Sequence, residues 1–71
     1  MPDTDAHVLM GILMKHNLTQ RALAELTGIS ENVVSLVSCG SRLFTRRHIT
    51  AICQTLKIDP TIFFPNWEAR S

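Results

Sequence analysis

Residues 20–40 read QRALAELTGISENVVSLVSCG, two runs of helical apolar spacing divided by one glycine. Leu23, Ala24 and Leu26 before that glycine, and Ile29, Val34 and Val37 after it, are spaced to pack two short helices against each other. Gly28 supplies the positive φ of a sharp inter-helix turn, a conformation that costs a residue bearing a Cβ about 1–2 kcal/mol. Thr19 and Ser30 stand where a hydroxyl satisfies the first free N–H groups of a helix, and Gly40 is a carboxy-terminal stop. The predicted pair is a helix over 20–27, a turn, and a second helix from the Ser30 cap to Val37.

The flanking sequence supplies support for this pair. Asp3, Thr4 or Asp5 can cap a first helix, whose apolar face is Val8, Leu9, Ile12 and Leu13. Acidic side chains at its start suit the positive end of the helix dipole, and Asn17 tolerates a left-handed stop near His16. Residues 40–44 form a loop. Thr45 caps a fourth helix running to Lys57, with Ile49, Ile52, Cys53 and Leu56 facing inward. Asp59-Pro60 is a cap followed by proline at the first helical position, opening a short fifth helix with Ile62 and Phe63 inward. The tail from Asn66 shows no periodicity. The expectation is an all-α, five-helix single domain over 1–71, with its ordered core at 5–64 and a short tail at 65–71.

Composition agrees with an ordered domain that is barely large enough to hold one core. At 71 residues, 45% hydrophobic and 18% charged, the chain lies outside the disordered class. Two cysteines, Cys39 and Cys53, imply neither a disulfide framework nor a zinc cluster, and no cofactor is expected. Met10–Met14 is too short and interrupted for a secretory signal, and no apolar run is long enough to cross a bilayer, so the expected location is the cytoplasm without membrane association. The net charge of +1 is low for a nucleic-acid binder, but Arg42, Arg46 and Arg47 cluster just beyond the helix pair. His7, His16 and His48 are isolated from any nucleophile in a triad spacing, so the chain is not expected to be an enzyme. His48 reads as a helix-start or packing residue, Cys53 as core and Cys39 as exposed.

The segments LTQRALAELTGIS, VVSLVSCG and TRRHITAICQTLKIDPTIFF resemble the lambda-repressor-like, Xre/Cro-type helix-turn-helix family. Gln20, Leu23, Ala24, Gly28, Ser30, Val34 and Gly40 fall where that pattern wants them, and the likeness runs from Val8 to Phe64. In finer detail HNLTQ and IDPTIFF are similar to the DNA-binding domains of HigA-type antitoxins and short phage repressors. The resemblance implies a five-helix lambda-repressor-like fold with the helix-turn-helix at 20–38. The helix after Gly28 is then the recognition helix in the major groove of double-stranded DNA.

On that reading the DNA-binding residues are Gln20, Arg21, Ser30, Glu31, Asn32, Ser35, Leu36, Arg42 and Arg46. Asn32 suits a bidentate pair with adenine, Glu31 a cytosine amino group, and Leu36 a thymine methyl. Gln20 at its helix start, Arg42 and Arg46 suit phosphates. The recognition helix carries no Lys or Arg, which moves phosphate affinity onto Arg42, Arg46 and dimerisation. Leu43, Phe64 and Trp67 are large apolar residues without an evident burial site and form the expected dimer interface. The implied function is a sequence-specific transcriptional regulator, a repressor acting as a dimer on a palindromic operator. The alternative is an antitoxin or other protein-interaction module, with a toxin as partner and DNA binding secondary. The shortage of sequence outside the domain favours the regulator.

Overall fold

A computed structural model describes residues 4–64 and 66–70. Among them the chain forms α1 (Thr4–Lys15), α2 (Gln20–Thr27), α3 (Glu31–Ser38), α4 (Arg46–Leu56), α5 (Pro60–Phe63) and a closing 3₁₀ turn, Trp67–Ala69. The five predicted α-helices are present, and no strand occurs among the described residues. Each boundary has a local chemical cause. Thr19 accepts from the Ala22 N–H at 3.0 Å, and Ser30 accepts from the Asn32 N–H at 3.2 Å. Asp59 accepts from the Thr61 N–H at 2.9 Å, with Pro60 at the first helical position. Gly28 adopts φ +78°. The helix α3 closes with a Schellman pair, Ser41 N–H to Leu36 O and Gly40 N–H to Val37 O, both 3.0 Å, around Gly40 at φ +80°. Asn17 closes α1 in the left-handed region, as its sequence position predicts, and Lys57 does the same for α4.

Packing is organised around α3 and α4. The first helix lies on α3, α2 bridges α3 and α4, and α4 carries α5 and the 3₁₀ turn. The core comprises Leu9 and Ile12 of α1, Leu23 and Ala24 of α2, Ile29 in the turn, and Val34 and Val37 of α3. Phe44 from the loop, Ile49, Ile52 and Cys53 of α4, and Phe64 after α5 complete it. Phe44 and Phe64 meet edge to face with ring centroids 6.1 Å apart.

Four expectations are corrected. Leu26 is 55% exposed, because it lies about 110° around α2 from the centre of the stripe made by Gln20, Leu23, Ala24 and Thr27, given 100° per residue. Ile62 is 72% exposed, since the single turn of α5 offers only one edge to α4 and the inward place passes to Phe64. Phe64 is fully buried rather than part of an exposed dimer surface. Asp5 is not a cap. It lies inside α1, buried, and pairs with Arg70 through Oδ2–Nη1 at 2.6 Å and Oδ1–Nη2 at 3.1 Å. Thr4 is already helical, and Asp3, the remaining candidate cap, lies outside the described residues. The tail that lacks periodicity thus folds back as a 3₁₀ turn anchored by that ion pair.

Candidate nucleic-acid interface

The exposed side of α3 follows from its buried side. Val34 and Val37 face the core with no exposure, which turns Glu31, Asn32 and Ser35 outward beside the exposed Ser30 cap. Leu36 is 36% exposed, and Val33 is half-buried. The result is a polar edge along the amino-terminal two turns of α3 with one apolar side chain beside it. Carboxylate, carboxamide and hydroxyl together match the donors and acceptors on base edges.

Gln20 does not point freely away from the protein. Its Nε2 donates to Ser38 Oγ at 3.0 Å, which ties the start of α2 to the end of α3, while Ser38 Oγ donates to the Ser35 carbonyl at 2.8 Å. This bond uses one of the two N–H donors of the carboxamide expected to meet a phosphate and leaves the other. Arg21 is exposed, and its pairing with Glu25 at 3.7 Å is a surface contact worth at most a few tenths of a kcal/mol.

The arginine segment lies in one place. Arg42, Arg46 and Arg47 are all exposed around the amino terminus of α4. Burial lowers the His48 pKa below the usual histidine value, and the positive charges of Arg42 and Arg47 push it the same way. One guanidinium from the loop and one from the first turn of α4 therefore act on one imidazole. His48 completes a capping box: its N–H donates to Thr45 Oγ1, and its Nδ1 accepts from the Thr45 N–H, both at 3.3 Å. The imidazole also packs edge-on against Phe44, so the helix-start role read from its position holds. Arg46 is partly held, its Nη1 lying 3.5 Å from the Glu68 carbonyl.

Of the residues expected at a dimer surface, Leu43 is 47% exposed, Trp67 is half-buried against the core, and Phe64 is inside it. Cys39 is exposed at the end of α3. Cys53 is buried, and burial together with Asp59 pushes its thiol pKa up. Sequence reasoning missed Asp5 and Arg70, whose pairing across 65 positions leaves no local signal.

Two helices joined by a left-handed glycine, the second presenting a polar edge and followed in the chain by an arginine-bearing segment, define a helix-turn-helix domain of the kind that places one helix in a DNA groove. Residues 8–61 match the family model of the Cro/C1-type HTH DNA-binding domain, and the chain belongs to that family. No curated protein and no solved structure matches the chain. Among the described residues no helix is long and apolar enough to cross a membrane.

Proposed function

We propose that the chain is a sequence-specific transcriptional regulator, acting as a repressor that occupies a palindromic operator as a dimer. The observation that supports this reading best is the polar edge Glu31–Asn32–Ser35 on a helix held rigidly by Val34 and Val37. Asn32 reads an adenine edge, Ser35 and Glu31 contact neighbouring bases, and Leu36 meets a thymine methyl. Arg42 and Arg46, with Arg21 on α2, hold the phosphate backbone. Since α3 carries no basic residue, affinity depends on those arginines and on two domains spaced about 34 Å apart on successive major grooves. Leu43 is the exposed member of the expected dimer set now that Phe64 is assigned to the core, and Ile62 is one of several other exposed large apolar side chains, with Leu26, Met10 and Met14, that can join the contact between copies.

The test is a mobility-shift series with the protein's own promoter at several salt concentrations. An Asn32→Ala/Ser35→Ala variant flattens the preference between operator and mismatched duplex by about 1–3 kcal/mol. Arg46→Ala weakens binding to every sequence alike and reduces the salt slope by about one. Absence of any promoter binding at low salt overturns the regulator reading in favour of a protein-interaction module such as an antitoxin.

A further inference from the structure

The ion pair between buried Asp5 and half-buried Arg70 grips the main chain of Phe44, in the middle of the arginine-bearing segment. Asp5 Oδ2 accepts from the Phe44 N–H at 2.9 Å, and Arg70 Nη1 donates to the Phe44 carbonyl at 3.2 Å as well as to Asp5. Both polar groups of one peptide residue are therefore held by a side chain from α1 and a side chain from the far end of the chain. The Arg70 guanidinium lies 5.9 Å from the Phe64 ring centroid, and Glu68 of the same strap accepts from Arg46. Arg42 precedes this grip by two residues and Arg46 follows it by two. Residues 42–44 lie between the Schellman end of α3 and the Thr45 cap and belong to no helix or strand. Among the described residues, the grip on Phe44 is the polar tether that fixes this stretch.

An ion pair with a buried carboxylate gains little net stability, because desolvation of that carboxylate offsets much of the Coulombic attraction. Its geometry here serves another end. We propose that Asp5 and Arg70 are positioning residues for DNA binding: through Phe44 they fix the spacing of Arg42 and Arg46 so that both guanidinium groups meet the phosphate backbone together. Asp5 is only 1% exposed and touches no DNA itself. The strap from Asn66 to Arg70 thereby couples the carboxy-terminal end of the domain to the affinity of its interface. This inference rests on the assignment of Arg42 and Arg46 to phosphate contacts made above.

The sign of one substitution separates this role from bulk electrostatics. Asp5→Asn removes a negative charge and raises the net charge from +1 to +2, which by itself strengthens binding to a polyanion. Positioning predicts the opposite. The assay is fluorescence anisotropy of a labelled mixed-sequence duplex across a salt series, at a temperature where circular dichroism shows each variant folded. The expected result is weaker binding by Asp5→Asn, with a slope of log K against log salt shallower by about one, and faster amide exchange at Phe44. In an Arg42→Ala/Arg46→Ala background the Asp5 substitution no longer weakens binding, because its route to the DNA is gone and only the small gain from the lost negative charge remains. Arg70→Lys keeps the charge but loses the bidentate fork, and it shows the same weakening should Asp5→Asn fail to fold. Unchanged or tighter binding by both variants, or an equal loss in the arginine-free background, overturns the positioning role. Absence of salt-dependent binding by the wild-type protein overturns the phosphate assignment itself, and the positioning role with it.

Discussion

Replacing Phe64 by alanine distinguishes a core residue from an interface residue. The side chain is fully buried within one copy of the chain, its ring set edge-on to Phe44 and covered by the Arg70 guanidinium. Truncating a buried phenylalanine costs about 3–5 kcal/mol, of which the aromatic pair accounts for about 1 kcal/mol. A domain of 71 residues has a total stability of about 4–11 kcal/mol, at 0.05–0.15 kcal/mol per residue. Phe64→Ala therefore removes much of what holds the fold, and Tm falls by at least about 12 °C, at 4–8 °C per kcal/mol for this size. Thermal and chemical unfolding are followed by circular dichroism and by the fluorescence of Trp67, the single tryptophan, at two protein concentrations tenfold apart. A core residue gives the same loss at both. Phe64→Leu, which keeps most of the volume, costs about 1 kcal/mol. A loss under 1 kcal/mol for Phe64→Ala, or one confined to the higher concentration, refutes the core assignment and returns Phe64 to a contact between copies.

Two further perturbations probe the turn and the start of α4. Gly28→Ala lowers stability by about 1–2 kcal/mol, measured by urea unfolding; because a Cβ there meets nothing within 4 Å, the cost is that of a left-handed φ alone, and an unchanged midpoint refutes it. Stability also falls with acid through His48. Its folded pKa is depressed below 6.5 by burial and by Arg42 and Arg47, so its stabilising effect is complete above the unfolded value and is lost as pH falls through the folded one. His48→Gln, which preserves a capping-box side chain without a titrating imidazole, flattens the Tm profile as pH falls below 6.5; parallel profiles for both proteins exclude His48 as the cause.

The helix-turn-helix was legible in the sequence because its determinants are local. A hydroxyl before a helix, a glycine where φ must be positive and apolar residues at helical spacing act within a few positions of themselves. Thr19, Gly28, Ser30, Gly40, Thr45 and Asp59-Pro60 accordingly stand where the sequence places them. The outward face of α3 was equally legible, being the complement of Val34 and Val37.

Tertiary structure alone decided which of several apolar residues found a partner. Leu26 and Phe64 are alike in hydrophobicity, yet one is 55% exposed and the other fully buried, because burial depends on which helix faces are covered. It also decided the fate of Gln20, drawn into a bond with Ser38, and of Asp5, drawn from a helix start into an ion pair with Arg70. Contacts spanning 18 and 65 positions are set by how the whole chain closes, and no local periodicity encodes them. Sequence alone thus determined the kind of domain, while packing determined how its arginine segment is held.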